Sequence, residues 1–165
     1  MGKIYYIIGK SSSGKDTIFK ELPSRIPELK QVVPYTTRPR REGEKDGVEY
    51  FFTDEKRTEE LERAGRIIEL RAYDTACGVW KYFTADDGQI DLETGNYLMI
   101  GTLESYEKMV QYYGAENILP LYIEVEDGER LSRALARERQ QAQPKYKELC
   151  RRFLADEEDV SEEKL

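Results

Sequence analysis

The chain of 165 residues is acidic, with 33 Asp and Glu against 26 Lys and Arg, a formal net charge of −7, a pI near 4.9 and no histidine. The charge argues against a general nucleic-acid binder, which needs a broad cationic field to release counterions, and the absence of histidine excludes His-based catalysis and His metal ligation. At 39% hydrophobic residues the length fits one core with a small inserted unit; no signal-peptide pattern or long apolar run is present, and Cys77 and Cys150 lack metal-ligand spacing, so two free thiols in a reducing cytoplasm are expected.

The first strand is predicted at Ile4-Tyr5-Tyr6-Ile7-Ile8, followed directly by Gly9-Lys10-Ser11-Ser12-Ser13-Gly14-Lys15-Asp16-Thr17. The Gly, Gly and Lys spacing is that of a P-loop. Gly9 and Gly14 permit turn conformations and close backbone approach, so that successive N–H groups form an anion nest. A helix over Lys15 to Leu22, ended by Pro23, adds its positive end. Lys15 is a catalytic candidate, the mobile cation that follows a transferred phosphoryl group. Gly9, Ser11, Ser12, Ser13, Gly14, Lys15, Asp16 and Thr17 are the candidate phosphate-binding residues. Asp16 stands where the motif expects Ser or Thr to hold Mg²⁺, with Thr17 next, and both are metal candidates.

A second strand is expected at Val32-Val33 leading into Tyr35, and a charged helix over Asp54 to Ala64, with Leu61 and Ala64 on one side and Gly65 as its stop. Arg66 to Ala72 and Val79 to Thr84 read as strands of a small, partly separate unit. Tyr97 to Ile100 is a further strand, and the helix after it carries Leu103, Tyr106, Val110 and Tyr113 as a core-facing stripe. Ile118 to Val125 is the last strand, before helices at Gly128 to Gln140 and Pro144 to Asp159; on the latter Cys150 is expected as a small buried hydrophobe. The acidic run Asp156-Glu157-Glu158-Asp159, then Glu162-Glu163, reads as a solvated helix end or tail. The alternation predicts an α/β fold with a mostly parallel sheet flanked by helices and a site at the carboxyl ends of its strands.

Between Tyr35 and Phe52 the chain packs Thr36, Thr37, Arg38, Arg40, Arg41, Glu44 and Tyr50 around Gly43 and Gly47. Guanidinium forks of this kind grip phosphate oxygens bidentately, which suits a second anion, with Glu44 orienting one arginine.

This segment resembles the GMP-binding stretch of guanylate kinases, Thr-Thr-Arg-x-x-Arg-x-Gly-Glu-x-x-Gly-x-x-Tyr, whose fixed elements all fall between Thr36 and Tyr50. Arg66-Ile67-Ile68-Glu69 is similar to the stretch whose Glu reads guanine, Gly78 follows, and the carboxyl-terminal region resembles the family lid at Arg133, Arg137 and Arg152. The resemblance implies a P-loop NTPase fold with a core over residues 1–33 and 95–130, an inserted acceptor subdomain over 34–94, a lid over 131–152 and an acidic end over 153–165. It implies transfer of the ATP γ-phosphate to GMP or dGMP with Mg²⁺. Thr36, Arg38, Arg41, Glu44, Tyr50 and Glu69 would bind the acceptor, and Lys15, Arg137 and Arg152 would neutralise the moving charge. The partners implied are small nucleotides, with neither nucleic acid nor membrane.

Departures from the family are Pro34 and Val79 where hydroxyls are common, Cys77 near a usual Tyr, and Gly101 in Leu98-Met99-Ile100-Gly101 where a carboxylate is usual. Two roles for Asp16 stand open. It replaces the carboxylate lost at Gly101 by contacting Mg²⁺, since unshielded repulsion from phosphate would cost about 4 kcal/mol per charge pair at about 4 Å; or it turns outward and complements the helix N-terminus. Three other readings stand beside this one: a related ribose-phosphate kinase, although such enzymes generally lack the complete run from Thr36 to Tyr50; a kinase for another nucleoside monophosphate, favoured by Pro34 and Val79; and a scaffold domain that binds peptides, although those usually have degraded phosphate loops whereas Gly9, Gly14 and Lys15 are intact here.

Overall fold

In the computed structural model, which describes residues 1–160, the apolar run after the amino terminus becomes the central strand β1 (Ile4–Gly9). It pairs in parallel with β7 (Asn96–Ile100) on one side and β8 (Ile118–Ile123) on the other, and β2 (Leu29–Gln31) adds outside β7, giving the all-parallel order β2-β7-β1-β8. A parallel strand covered on both faces has to be apolar throughout rather than alternating. Accordingly Ile4, Tyr6, Ile7 and Ile8 are all buried. Tyr6, Ile8, Met99 and Ile118 pack with Leu103 and Met109 of α3 (Leu103–Tyr113) on one face. Ile7 and Leu98 pack against Ile18, Phe19 and Leu22 of α1 (Lys15–Arg25) on the other. Tyr106, Val110 and Tyr113 also lie against the first cluster, so that stripe is core-facing as expected.

Helix α1 does not stop before Pro23 but carries it in its last turn. Proline fits helical φ; what it lacks is the N–H that would bond the carbonyl four residues back. That carbonyl, on Phe19, instead accepts from Gln31 Nε2 at 2.6 Å. The second strand begins earlier than Val32-Val33, at Leu29. Val32 donates one further bond to the Leu98 carbonyl at 3.0 Å, while Val33 is held by the Gln89 side chain.

A second sheet has the order β4-β3-β6-β5, built from β3 (Tyr35–Thr36), β4 (Phe51–Phe52), β5 (Ile67–Thr75) and β6 (Gly78–Ala85). β5 and β6 form an antiparallel hairpin longer than the sequence pattern suggested. Its register shifts between Ile67 and Glu69, so that Glu69 faces Thr84, Arg71 faces Tyr82 and Tyr73 faces Trp80. Helix α2 (Glu55–Arg63) is capped by the Asp54 carboxylate, which accepts from Arg57 N at 2.8 Å, and Gly65 at φ 68° ends it. Thr58 and Leu61 are its buried residues; Ala64, expected beside Leu61, is exposed because it is already the C-cap.

Helices α4 (Asp127–Arg139) and α5 (Tyr146–Asp159) complete the described chain. Cys150 is exposed, contrary to expectation: Leu149 takes the buried position of α5, and the next residue is rotated by about 100° around the helix. Cys77 is also exposed, and both thiols are free. Among the described residues no helix is long and apolar enough to cross a membrane. Glu162 and Glu163 lie outside the described residues.

Candidate functional site

The loop between β1 and α1 takes the conformation that its glycines were expected to allow. Gly14, the N-cap of α1, has φ 86° and Ser12 has φ 63°, both left-handed. At Gly9 a Cβ would sit 2.8 Å from Ser13 Oγ and 3.1 Å from the Ile123 carbonyl oxygen, so only glycine lets the loop close. Ser13 Oγ is buried and has no hydrogen-bond partner among the described residues. A glycine cradle beside an orphaned hydroxyl fits a chain of phosphates. Lys15 and Asp16 both line the adjoining cleft, with Lys15 Nζ 3.9 Å from Asp16 Oδ2. The Asp16 side chain is 79% exposed. Mg²⁺ is held in such sites by one or two carboxylates together with phosphate oxygens and water, and a single exposed carboxylate at this place fits that donor set. Thr17, the other metal candidate, is exposed and does not line the cleft.

The cleft has a volume of about 940 Å³, and its opposite wall is the segment between β3 and β4. Arg38, only 4% exposed, forks onto Glu44 with Nη1 and Nη2 at 3.0 and 2.9 Å. Glu44 Oε2 also accepts from the backbone N–H of Arg41 at 2.8 Å, closing the turn in which Gly43 has φ 85°. The Arg38 guanidinium beside it holds the Glu44 carboxyl at about 2, below the usual 4.5. Thr36 is fully buried; its Oγ1 accepts from Arg38 N at 3.1 Å and donates to the Lys81 carbonyl at 3.0 Å, so it braces the arginine's backbone rather than facing the cleft. Arg38 also lies 5.4 Å from the ring centroid of Tyr50, whose hydroxyl pKa is raised by burial. Arg38, Arg41, Glu44 and Tyr50 thus share one cleft with Lys15.

Glu69 does not. It is 4% exposed, Oε1 accepts from Thr84 Oγ1 at 2.9 Å and Oε2 from Arg71 Nε at 3.1 Å. Arg71 and Tyr73, two and four residues on along the same strand face, line the cleft in its place. Gly101, which also lines the cleft, has no room for a side chain. A Cβ there would come within 2.6 Å of Ser105 Oγ and closer still to Tyr6 Oη, two buried hydroxyls hydrogen-bonded to each other.

The arginines of the carboxyl-terminal region lie elsewhere. Arg133 Nη1 donates to the Ser12 carbonyl at 3.4 Å, Arg137 Nη2 donates to Ser12 Oγ, and Arg137 and Arg152 border a separate cavity of about 200 Å³ that meets the main cleft at Ser11. Lys15, Arg137 and Arg152 therefore do not converge in one space. Nor is the acidic run of α5 solvated throughout. Asp156 Oδ2 accepts from Ser11 N at 3.1 Å and from Ser11 Oγ, and Glu157 pairs with Lys10 Nζ at 2.8 Å. Arg130, 1% exposed and stacked 4.8 Å from the Phe153 ring centroid, ties these together: Nε donates to the Ser11 carbonyl at 3.0 Å, and Nη1 and Nη2 pair with Asp127 at 2.8 Å and Asp156 at 3.2 Å. Neither Arg71 nor Arg130 stands out in the sequence, and Asp156 reads there only as part of a solvated run. Only Arg71 carried a local signal, its i+2 spacing from Glu69 on a strand.

The glycine loop and the Thr36–Tyr50 segment both fall in the part of the chain that is similar to known proteins. Residues 1–77 match the family model described as guanylate kinase. Guanylate kinase of Legionella pneumophila (strain Lens) is 40% identical over 68 residues, and that of Thermobifida fusca (strain YX) 42% over 67. Each of these alignments spans 41% of this chain and only about a third of the relative, 32% and 34%. The sequence similarity is therefore shorter than the lid resemblance suggested, and covers the phosphate loop and the Thr36–Tyr50 cluster. The fold similarity is wider. A crystal structure of guanylate kinase from Anaplasma phagocytophilum matches 98% of this chain and 71% of its own at a TM-score of 0.65 and 22% identity, which places the chain in the P-loop NTPase fold.

Proposed function

We propose that the protein is a nucleoside monophosphate kinase of the guanylate kinase type, transferring the ATP γ-phosphate to GMP or dGMP to give GDP and ADP. The carrying observation is the single cleft that has Lys15 and the glycine cradle on one wall and the Arg38–Glu44–Tyr50 cluster on the other. A protein with one phosphate site needs only the first wall.

The ATP phosphates would lie along the loop from Gly9 to Thr17, with Ser12 and Gly14 supplying backbone donors, Ser13 its unpartnered hydroxyl, Ser11 its N–H once Asp156 moves off it, and Lys15 following the γ-phosphoryl group as it moves. Arg38 and Arg41, with the Tyr50 hydroxyl, would hold the acceptor monophosphate in line. Glu44 keeps the Arg38 fork in one orientation, so no reorganisation of that charge is needed at the moment of transfer. Mg²⁺, held through Asp16 and the phosphate oxygens, would neutralise charge on the outer phosphates. Arg137 and Arg152 would reach the transferred group only if α4 and α5 swing toward the cleft, which is how residues 131–152 would work as a lid over an acceptor unit of residues 34–94. Composition and the free thiols support a cytoplasmic location.

The test is a coupled ADP-release assay with ATP and Mg²⁺ as donor and GMP, dGMP, AMP, UMP and CMP as acceptors. Turnover with the guanine nucleotides is expected to exceed that with the others. Turnover with none of them, together with no GMP binding by calorimetry, refutes the proposal.

A further inference from the structure

The acceptor base of a guanine nucleotide has two polar edges. Its Watson–Crick edge presents the N1 and N2 donors, which a carboxylate would read; its other edge presents the acceptors O6 and N7, which an arginine reads with two parallel N–H bonds. In this protein the carboxylate at the base-reading position is withdrawn. Glu69 is buried, and its oxygens are taken up by Thr84 Oγ1 and by the Nε and Nη2 edge of Arg71. The register shift between Ile67 and Glu69 brings this about, because it sets Glu69 opposite Thr84 and Arg71 opposite Tyr82. Bulges commonly re-aim side chains beside a site.

What the cleft meets is therefore Arg71, whose side chain is 15% exposed and lines it together with Pro34, Tyr50, Tyr73 and Gly101. Glu69 grips the guanidinium side-on through Nε and one N–H of Nη2, so Nη1 and the second N–H of Nη2 form an end-on pair that points away from Glu69, and Nη1 takes no protein acceptor among the described residues. The guanidinium is also braced 5.9 Å from the Tyr82 ring centroid. Tyr82 and Tyr50 have centroids 5.7 Å apart, and Tyr50 in turn carries Arg38 at 5.4 Å. The cleft thus holds two fixed guanidinium groups with an aromatic pair between them, one for the phosphate and one for the far end of the same nucleotide.

We infer that Arg71, positioned by Glu69, determines base specificity by donating Nη1–H and Nη2–H to O6 and N7 of the acceptor guanine, in place of a carboxylate reading N1 and N2. This rests on the kinase function proposed above and assigns its base reader. Adenine is rejected because its 6-amino group would put protons against the guanidinium protons. Pro34, Val79 and Gly101 contribute no side-chain donor or acceptor to the base, and none is required once the edge being read is O6 and N7.

The experiment is calorimetric titration of the whole chain with GMP, IMP, 7-deaza-GMP and AMP. IMP lacks the 2-amino group but keeps O6 and N7, and is expected to bind within about threefold of GMP; 7-deaza-GMP lacks only the N7 acceptor and is expected to lose about tenfold or more, as is AMP. In Arg71→Met, which keeps much of the side chain's length but has no N–H to donate, the penalty for 7-deaza-GMP should vanish while ATP affinity holds. A tenfold loss with IMP, or 7-deaza-GMP binding as tightly as GMP, overturns the inference without touching the kinase function. A 7-deaza penalty that persists in Arg71→Met overturns the assignment to Arg71. Failure of GMP itself to bind removes both this inference and the function on which it rests.

Discussion

Replacing Glu44 with Gln removes one negative charge and nothing else of consequence in volume, at the point where the Arg38–Tyr50 wall of the cleft is held together. Arg38 is 4% exposed and its only ion pair among the described residues is with Glu44. The Glu44 carboxyl sits at about 2 against an ordinary 4.5, the Arg38 hydrogen bonds being the main cause. At about 1.36 kcal/mol per pKa unit, that difference is worth roughly 3 kcal/mol of folding stability at pH 7. The Glu44 side chain is 17% exposed, so solvent screening makes this an upper figure. A folded-state pKa below the unfolded one contributes stability in full above the unfolded value, and the contribution drains away as the pH falls toward the folded value. The advantage of wild type over Glu44→Gln, read from urea denaturation, should thus be about 2–3 kcal/mol at pH 7 and about half that at pH 3. An advantage under about 0.5 kcal/mol at pH 7, or one that does not shrink between pH 7 and pH 3, would mean that the Arg38 fork does not depend on the Glu44 charge.

Gly101→Ala should destabilise by about 1–3 kcal/mol, seen as a lower urea midpoint, because the new methyl must displace the Tyr6 and Ser105 hydroxyls; an unchanged midpoint would show that this turn gives way freely. Asp156→Ala takes one of three carboxylates from buried Arg130 and the acceptor from Ser11 N–H, and should cost about 1–3 kcal/mol in the same assay. A cost no larger than for a surface substitution would place Asp156 in solvent. Asp16→Ser should raise severalfold the Mg²⁺ concentration at half-maximal turnover, and an unaltered Mg²⁺ titration would leave Asp16 with only its helix N-terminus to complement.

Local stereochemistry made the phosphate loop legible: a buried strand, two glycines at fixed spacing and a lysine specify a turn without reference to anything distant. The Thr36–Tyr50 segment was legible for the same reason, since the Arg38–Glu44 fork and the Arg41–Glu44 turn close within six residues. Glu69 was misleading because its surroundings depend on the register shift in β5, which no side-chain pattern announces. Docking of Asp156 on Ser11 spans 145 positions in sequence, and a run of carboxylates reads as solvated until the cation that meets it, buried Arg130, is in place. Pro23 fell inside a helix because Gln31, on the next strand, satisfies the carbonyl it leaves bare. In each case the deciding partner came from another element.

The fit around Gly101 also bears on how such a sequence can change over generations. A carboxylate cannot be introduced there by one substitution, because Tyr6 and Ser105 already fill the space its first carbon would need. Both hydroxyls would have to recede first, and each is buried with no reason to leave while the other remains. An acidic side chain at this position therefore requires coordinated change at three places, Gly101, Tyr6 and Ser105, rather than at one.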